Sequence, residues 1–98
     1  MLFIITYISR HESEELEQRG LNVFKSWTPP VGFEFKSHYA FADGHGGVAV
    51  VEVDSPATLY EAITPFHVFN DFDVHPALDI EEAVPLGDKA MAWRDSVN

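Results

Sequence analysis

The sequence predicts an α+β domain built from two strand–helix–strand units in tandem, and three observations lead there. An apolar run over residues 2–8 precedes a helix-start signal at Ser9, and a second run over 47–53 precedes another at Asp54-Ser55-Pro56. The two strand ends lie about 45 residues apart, so the chain repeats itself. A glycine-rich turn, Asp43-Gly44-His45-Gly46, joins the halves as a hairpin. The other two strands alternate polar and apolar residues, as strands at a sheet edge do. The order β-α-β-β-α-β with this patterning is the split βαβ, ferredoxin-like sandwich: a four-stranded antiparallel sheet of order 4-1-3-2 with both helices on one face.

The first strand, Leu2 to Ile8, is apolar but too short to span a bilayer, and the stretch lacks the basic n-region and small-residue cleavage site expected of a signal peptide. Ser9 and Glu12 then match a capping box, in which each side chain satisfies the other's terminal N–H. Glu12, Glu14, Glu15 and Glu17 crowd the start of this helix and Lys25 sits late, as the helix dipole favours. Leu16, Gly20, Val23, Phe24 and Trp27 form its apolar stripe, expected to lie buried on the sheet. Gly20 costs about 1 kcal/mol against alanine in mid-helix, which suggests close packing. Pro29-Pro30 ends the helix.

Residues 33–42 place Phe33, Phe35, Tyr39 and Phe41 on one face of a regular strand, with Glu34, Lys36, His38 and Ala40 on the other. The run Gly47-Val48-Ala49-Val50-Val51-Glu52-Val53 suits a strand buried on both faces. Ser55 caps the second helix, Pro56 fits its first position, and Leu59, Ala62, Ile63 and Phe66 make its apolar stripe. Pro65 predicts an end or kink near Thr64 and a loose turn through Phe69. In the last strand Phe72, Val74, Pro76, Leu78 and Ile80 alternate with Asp71, Asp73, His75, Ala77 and Asp79. Pro76 cannot donate to a ladder, so this strand belongs at an edge or carries a bulge. The domain is expected to cover residues 1–85, with a tail over 86–98 that adds a short helix capped by Asp88 and leaves Met91 and Trp93 seeking cover.

Sixteen acidic against six basic residues give a net charge of −10. Phosphate backbones and anionic bilayers bind through clustered Lys and Arg, so nucleic acid and membrane are poor partners. The absence of cysteine removes disulfides and thiolate chemistry and fits a reducing compartment such as the cytoplasm. Two helices cover one sheet face only, whereas the central strands carry apolar residues on both. The bare face predicts a homodimer, sheet against sheet about a twofold axis.

With its Met1-Leu2-Phe3 start, the strand ending Val51-Glu52-Val53, the Asp54-Ser55-Pro56-Ala57 cap and Phe72-Asp73-Val74-His75-Pro76, the chain resembles the dimeric α/β-barrel superfamily. Within it, the resemblance is to a family of small barrel domains of unknown function. It implies a dimeric barrel and, as one activity, a cofactor-free monooxygenase or isomerase whose cavity orients a substrate with Asn, Trp, His or Tyr. Trp27, Tyr7 and His67 match those types, but Thr6 and Tyr7 stand on the first strand where such relatives carry asparagine.

No cofactor or metal motif stands out. Of the five histidines, none forms a helical i, i+4 pair. His38 and His75 would share the polar sheet face, yet on opposite edges about 14 Å apart. His11, in a helix's first turn, and His45, in the hairpin turn, have no evident role. Asp71 with Asp73, and Glu81 with Glu82, are solvated surface pairs. The glycines of 43–47 lead into a strand rather than a helix, so they build a turn and not a phosphate cradle.

The aromatic residues are the strongest functional lead. Tyr7, Phe24, Trp27, Tyr39, Ile63 and Phe66, with His67, are placed to line a space between helices and sheet, which is either packed solid or open to a small apolar, aromatic or fatty-acyl ligand. The tyrosines, Trp27 and His67 are its polar anchors, and His67 is the one catalytic candidate. An anionic head group would need Arg10, Lys25, Lys36 or His67. The remaining reading is an assembly module with no ligand at all.

Overall fold

The computed structural model describes residues 1–10 and 12–98. Strand β1 (Leu2–Ser9) leads into α1 (Glu14–Ser26), followed by β2 (Phe33–Ala40) and β3 (Gly46–Val53). Then come α2 (Pro56–Ile63), a 3₁₀ turn (Thr64–Phe66), β4 (Asn70–Ala77) and α3 (Ile80–Asp95). The sheet runs β2-β3-β1-β4, antiparallel throughout. That is the predicted 4-1-3-2 order seen from the other edge, and the βαββαβ layout is ferredoxin-like. Pro76 sits on edge strand β4, where its missing N–H breaks no ladder.

The core lies between the helices and one sheet face. Phe3 and Ile5 of β1, Ala49, Val51 and Val53 of β3, and Leu59 of α2 are buried together, and Val51 is fully enclosed. Alternation puts Ile4, Ile8, Val48 and Val50 on the opposite face, which no helix among the described residues packs against.

The second helix starts as predicted: Ser55 Oγ accepts from the Thr58 N–H at 3.2 Å, with Pro56 at the first position. The first does not. Ser9 is still in the ladder, paired with Asn70, and its N–H donates to the His45 carbonyl at 2.8 Å. The cap is Ser13, whose Oγ accepts from the Leu16 N–H at 3.0 Å. His11 lies outside the described residues.

The stripe of α1 is also less buried than predicted. No residue of α1 is buried, and Phe24 is 43% exposed. Gly20 does mark a close approach, but to the loop before β4: a Cβ there would sit 3.1 Å from Phe69 Cγ. Phe69 holds the helix near its middle, and the rest stands off the sheet.

Beyond β4 the chain turns into helix at Ile80, earlier than a strand through Ile80 or a cap at Asp88 would allow. The 16-residue α3 carries Pro85 within it and buries no residue. Trp93 is 72% exposed. The radius of gyration is 17.5 Å and the extents 60 × 30 × 20 Å, against about 13 Å for a compact domain of this length. The excess is α3, which extends as an arm. Among the described residues no helix is long and apolar enough to cross a membrane.

Candidate ligand-binding cleft

Because α1 stands off, a cleft of about 870 Å³ opens between α1, the 3₁₀ turn and the sheet. Pockets for small molecules run from roughly 300 to 1,000 Å³, so it is large enough to be useful. Trp27 is its hub. The residue leaves the helix as its C-cap, in extended conformation, with its N–H donating to the Phe24 carbonyl at 3.2 Å. Its ring then meets Phe66 edge-on at 5.2 Å and Phe33 at 5.9 Å. Phe24 stands 6.1 Å from Phe66, and Ile63 and Ala62 of α2 complete that wall.

The polar centre of the cleft is a pair, Tyr7 and His38, whose Oη and Nε2 are 2.7 Å apart. Two local irregularities bring them together. A β-bulge at Lys36 shifts the register of β2 against β3, so that Phe35 pairs with Val51 but Ser37 with Val50. Beyond the bulge the alternation is reversed, and His38 joins Phe33 and Phe35 on the helix side. Tyr7 is on β1, two strands away, and its ring crosses β3 at Gly47, its ladder partner. A Cβ on Gly47 would collide with the Tyr7 hydroxyl and lie 2.5 Å from the Tyr39 carbonyl oxygen. His38 stacks flat on Phe35 at 4.8 Å and meets Phe24 edge-on at 5.9 Å. Burial raises the Tyr7 pKa and lowers that of His38, because a low-dielectric surrounding disfavours both charged forms. Both groups are neutral near pH 7.

The bulge places Tyr39 on the open sheet face opposite Val48, 66% exposed and outside the cleft. His67 is also outside it. The 3₁₀ turn directs Phe66 inward, and the exposed His67 ring rests against Tyr60 at 6.5 Å and Phe72 at 5.8 Å. Tyr7, Phe24, Trp27, Ile63 and Phe66 do line one cleft. His38, Phe35 and Phe72 line it as well and were not anticipated; for His38 the reason is the bulge, which regular alternation conceals. The same shift separates His38 from His75, which now occupy opposite faces. Among the described residues no group of three His, Asp or Glu side chains is placed to hold a metal ion.

At the mouth, Arg10 Nε and Nη2 both donate to Asp71 Oδ1, at 3.0 and 2.7 Å. Arg10, Glu14 and Glu17 line the cleft, as does Asn70, whose amide reaches the Phe66 carbonyl at 3.5 Å. Lys25 and Lys36 do not line it.

These features define a small ferredoxin-like α+β protein with an aromatic cleft and one tyrosine–histidine pair at its centre. Over residues 1–91 the chain matches the family described as "Domain of unknown function (DUF3303)", and it belongs to that family. No curated protein matches it.

Proposed function

We propose that the protein is a homodimer of the dimeric α/β-barrel type, in a reducing compartment such as the cytoplasm, and that each subunit binds a small apolar molecule, aromatic or fatty-acyl, between its helices and its sheet. The carrying observation is the cleft of about 870 Å³, walled by aromatic rings around a hydrogen-bonded polar pair. A core packed solid would leave no such volume, and a wall of rings with few polar groups is the usual composition of a small-molecule site.

The dimer rests on the uncovered face and on α3. Four strands about 4.8 Å apart, each of eight residues at about 3.4 Å, give a face of roughly 500 Å². A standard interface takes about 800 Å² from each partner. The sheet face alone falls short, and an arm carrying exposed Val84, Met91 and Trp93 supplies area for the remainder.

A second reading, a cofactor-free monooxygenase or isomerase, is favoured by one detail. Asn70 of β4 pairs with Ser9 at the end of β1 and lines the cleft, so the cleft that holds Tyr7 and His38 does contain an asparagine although β1 itself has none.

Native mass spectrometry of protein purified from cells, with calorimetric titration of naphthalene, tests the binding. A retained small molecule, or one naphthalene per subunit, is the expected result. No retained mass and no heat would remove the ligand reading.

A further inference from the structure

We infer that the cleft selects a neutral aromatic hydroxyl compound, its rings among Phe24, Phe35 and Trp27 and its oxygen on the Tyr7–His38 pair, and that it rejects carboxylates. This rests on the ligand-binding reading above and narrows it.

The hydroxyl follows from counting hydrogen bonds. A phenol and a neutral imidazole joined by one bond use one donor and one acceptor between them. If the Tyr7 hydroxyl donates to Nε2, the proton left on His38 is at Nδ1, and Oη keeps a lone pair. If Nε2–H donates to Oη, the tyrosine O–H is left over and Nδ1 accepts. In either arrangement one donor and one acceptor remain. Among the described residues the His38 ring has no other protein hydrogen-bond partner. A ligand hydroxyl donates to Oη in the first arrangement and accepts from the tyrosine O–H in the second, while Nδ1 faces away on the other side of the imidazole; a bare hydrocarbon does neither and leaves the desolvated phenol oxygen short of a partner.

Neutrality follows from charge. Among the described residues the one basic side chain lining the cleft, Arg10, is already bonded through two nitrogens to Asp71. Glu14 and Glu17 add negative charge to the same wall, and His38 is kept neutral by burial. A carboxylate would leave water for a site in which the described residues offer no unpaired cation. The ring preference follows from His38 and Phe35, which already lie parallel and 4.8 Å apart. Flat faces stack on such walls, with offset or edge-on geometry favoured, whereas a flexible acyl chain would lose rotamer freedom without that gain.

Three probes of one ring size separate these ideas by calorimetry on the full chain: naphthalene, naphthol and naphthoate. The structure predicts naphthol about tenfold tighter than naphthalene, and naphthoate weaker than either. In Tyr7→Phe and His38→Leu, naphthol affinity should fall about tenfold to the naphthalene level, while naphthalene affinity holds, which also shows that the cleft is intact. Equal affinity of naphthol and naphthalene for the unaltered protein would overturn the inference, as would naphthoate binding tightest. Should His38→Leu lose naphthalene too, His38→Phe, which keeps a flat ring against Phe35, replaces it, and naphthol affinity unchanged in Tyr7→Phe would overturn the proposal. Failure of all three probes on the unaltered protein would instead remove the ligand reading itself.

Discussion

Gly47 is where a single atom matters most. Its missing side chain is the space through which Tyr7 reaches across β3 to His38, so Gly47→Ala forces a methyl against the tyrosine hydroxyl and the Tyr39 carbonyl. Overpacking of this kind costs about 1–3 kcal/mol. Urea denaturation of Gly47→Ala should show that loss, and its His38 ring resonances should shift; a variant as stable as the parent would mean the ring does not lie there. The titration of the pair has a definite sign. His38 has a lowered pKa when folded, so its contribution is present above the ordinary histidine value of about 6.5 and is lost as pH falls through the folded value. Tyr7 has a raised pKa, so its contribution is present below about 10 and is lost as pH rises through the folded value. Stability measured against pH should slope down at both ends, and His38→Leu should flatten the acid slope by the histidine share. An unchanged acid slope in that variant would contradict the partial desolvation of the His38 ring.

Helix caps and strand phase belong to the next scale up. Ser13 caps α1 in the structure, so Ser13→Ala should cost about 1 kcal/mol, whereas Ser9→Ala, a strand-end change, should stay within about 0.5 kcal/mol. Thermal unfolding of the two variants decides between the serines, and the reverse ranking would restore the earlier cap. Ser9, with Glu12 three residues on, fits the capping-box spacing. What moved the cap to Ser13 was the pairing of Ser9 with Asn70, a contact 61 residues away that no local pattern shows. The bulge at Lys36 misled in the same way. Alternation over residues 33–35 was legible and correct, but one extra residue moved His38 into the cleft and Tyr39 out. By contrast the Ser55-Pro56 cap, the break at Pro65 and the edge position of Pro76 were legible because each depends on its own residue's covalent structure. The early start of α3 was hidden by the alternating Leu78 and Ile80, which extend the strand pattern past its real end.

For the molecule as a whole, strand order and layering followed from the twofold repeat and from apolar runs in the middle of the sheet, and the structure reproduces them. The cleft itself was open to two readings, packed or hollow, because aromatic content fixes the amount of side chain and not the distance of a helix from a sheet. That distance is set by Phe69 beneath Gly20. The bare sheet face and the extended α3 predict self-association. Sedimentation equilibrium at micromolar concentration should give a dimer, weakened at least tenfold by Ile4→Asp on the open face and by a stop after Asp79. A monomer at that concentration, or association unaffected by both changes, would contradict it.

The claim at the centre of this account is that small molecules enter between the helices and the sheet. Amide and indole NMR spectra recorded during a naphthol titration locate the ligand directly. The expected result is shifts at Tyr7, Phe24, Trp27, His38 and Phe66, with Ile4, Tyr39 and Asp73 on the far face unchanged; shifts confined to the far face, or none at saturating probe, would contradict it.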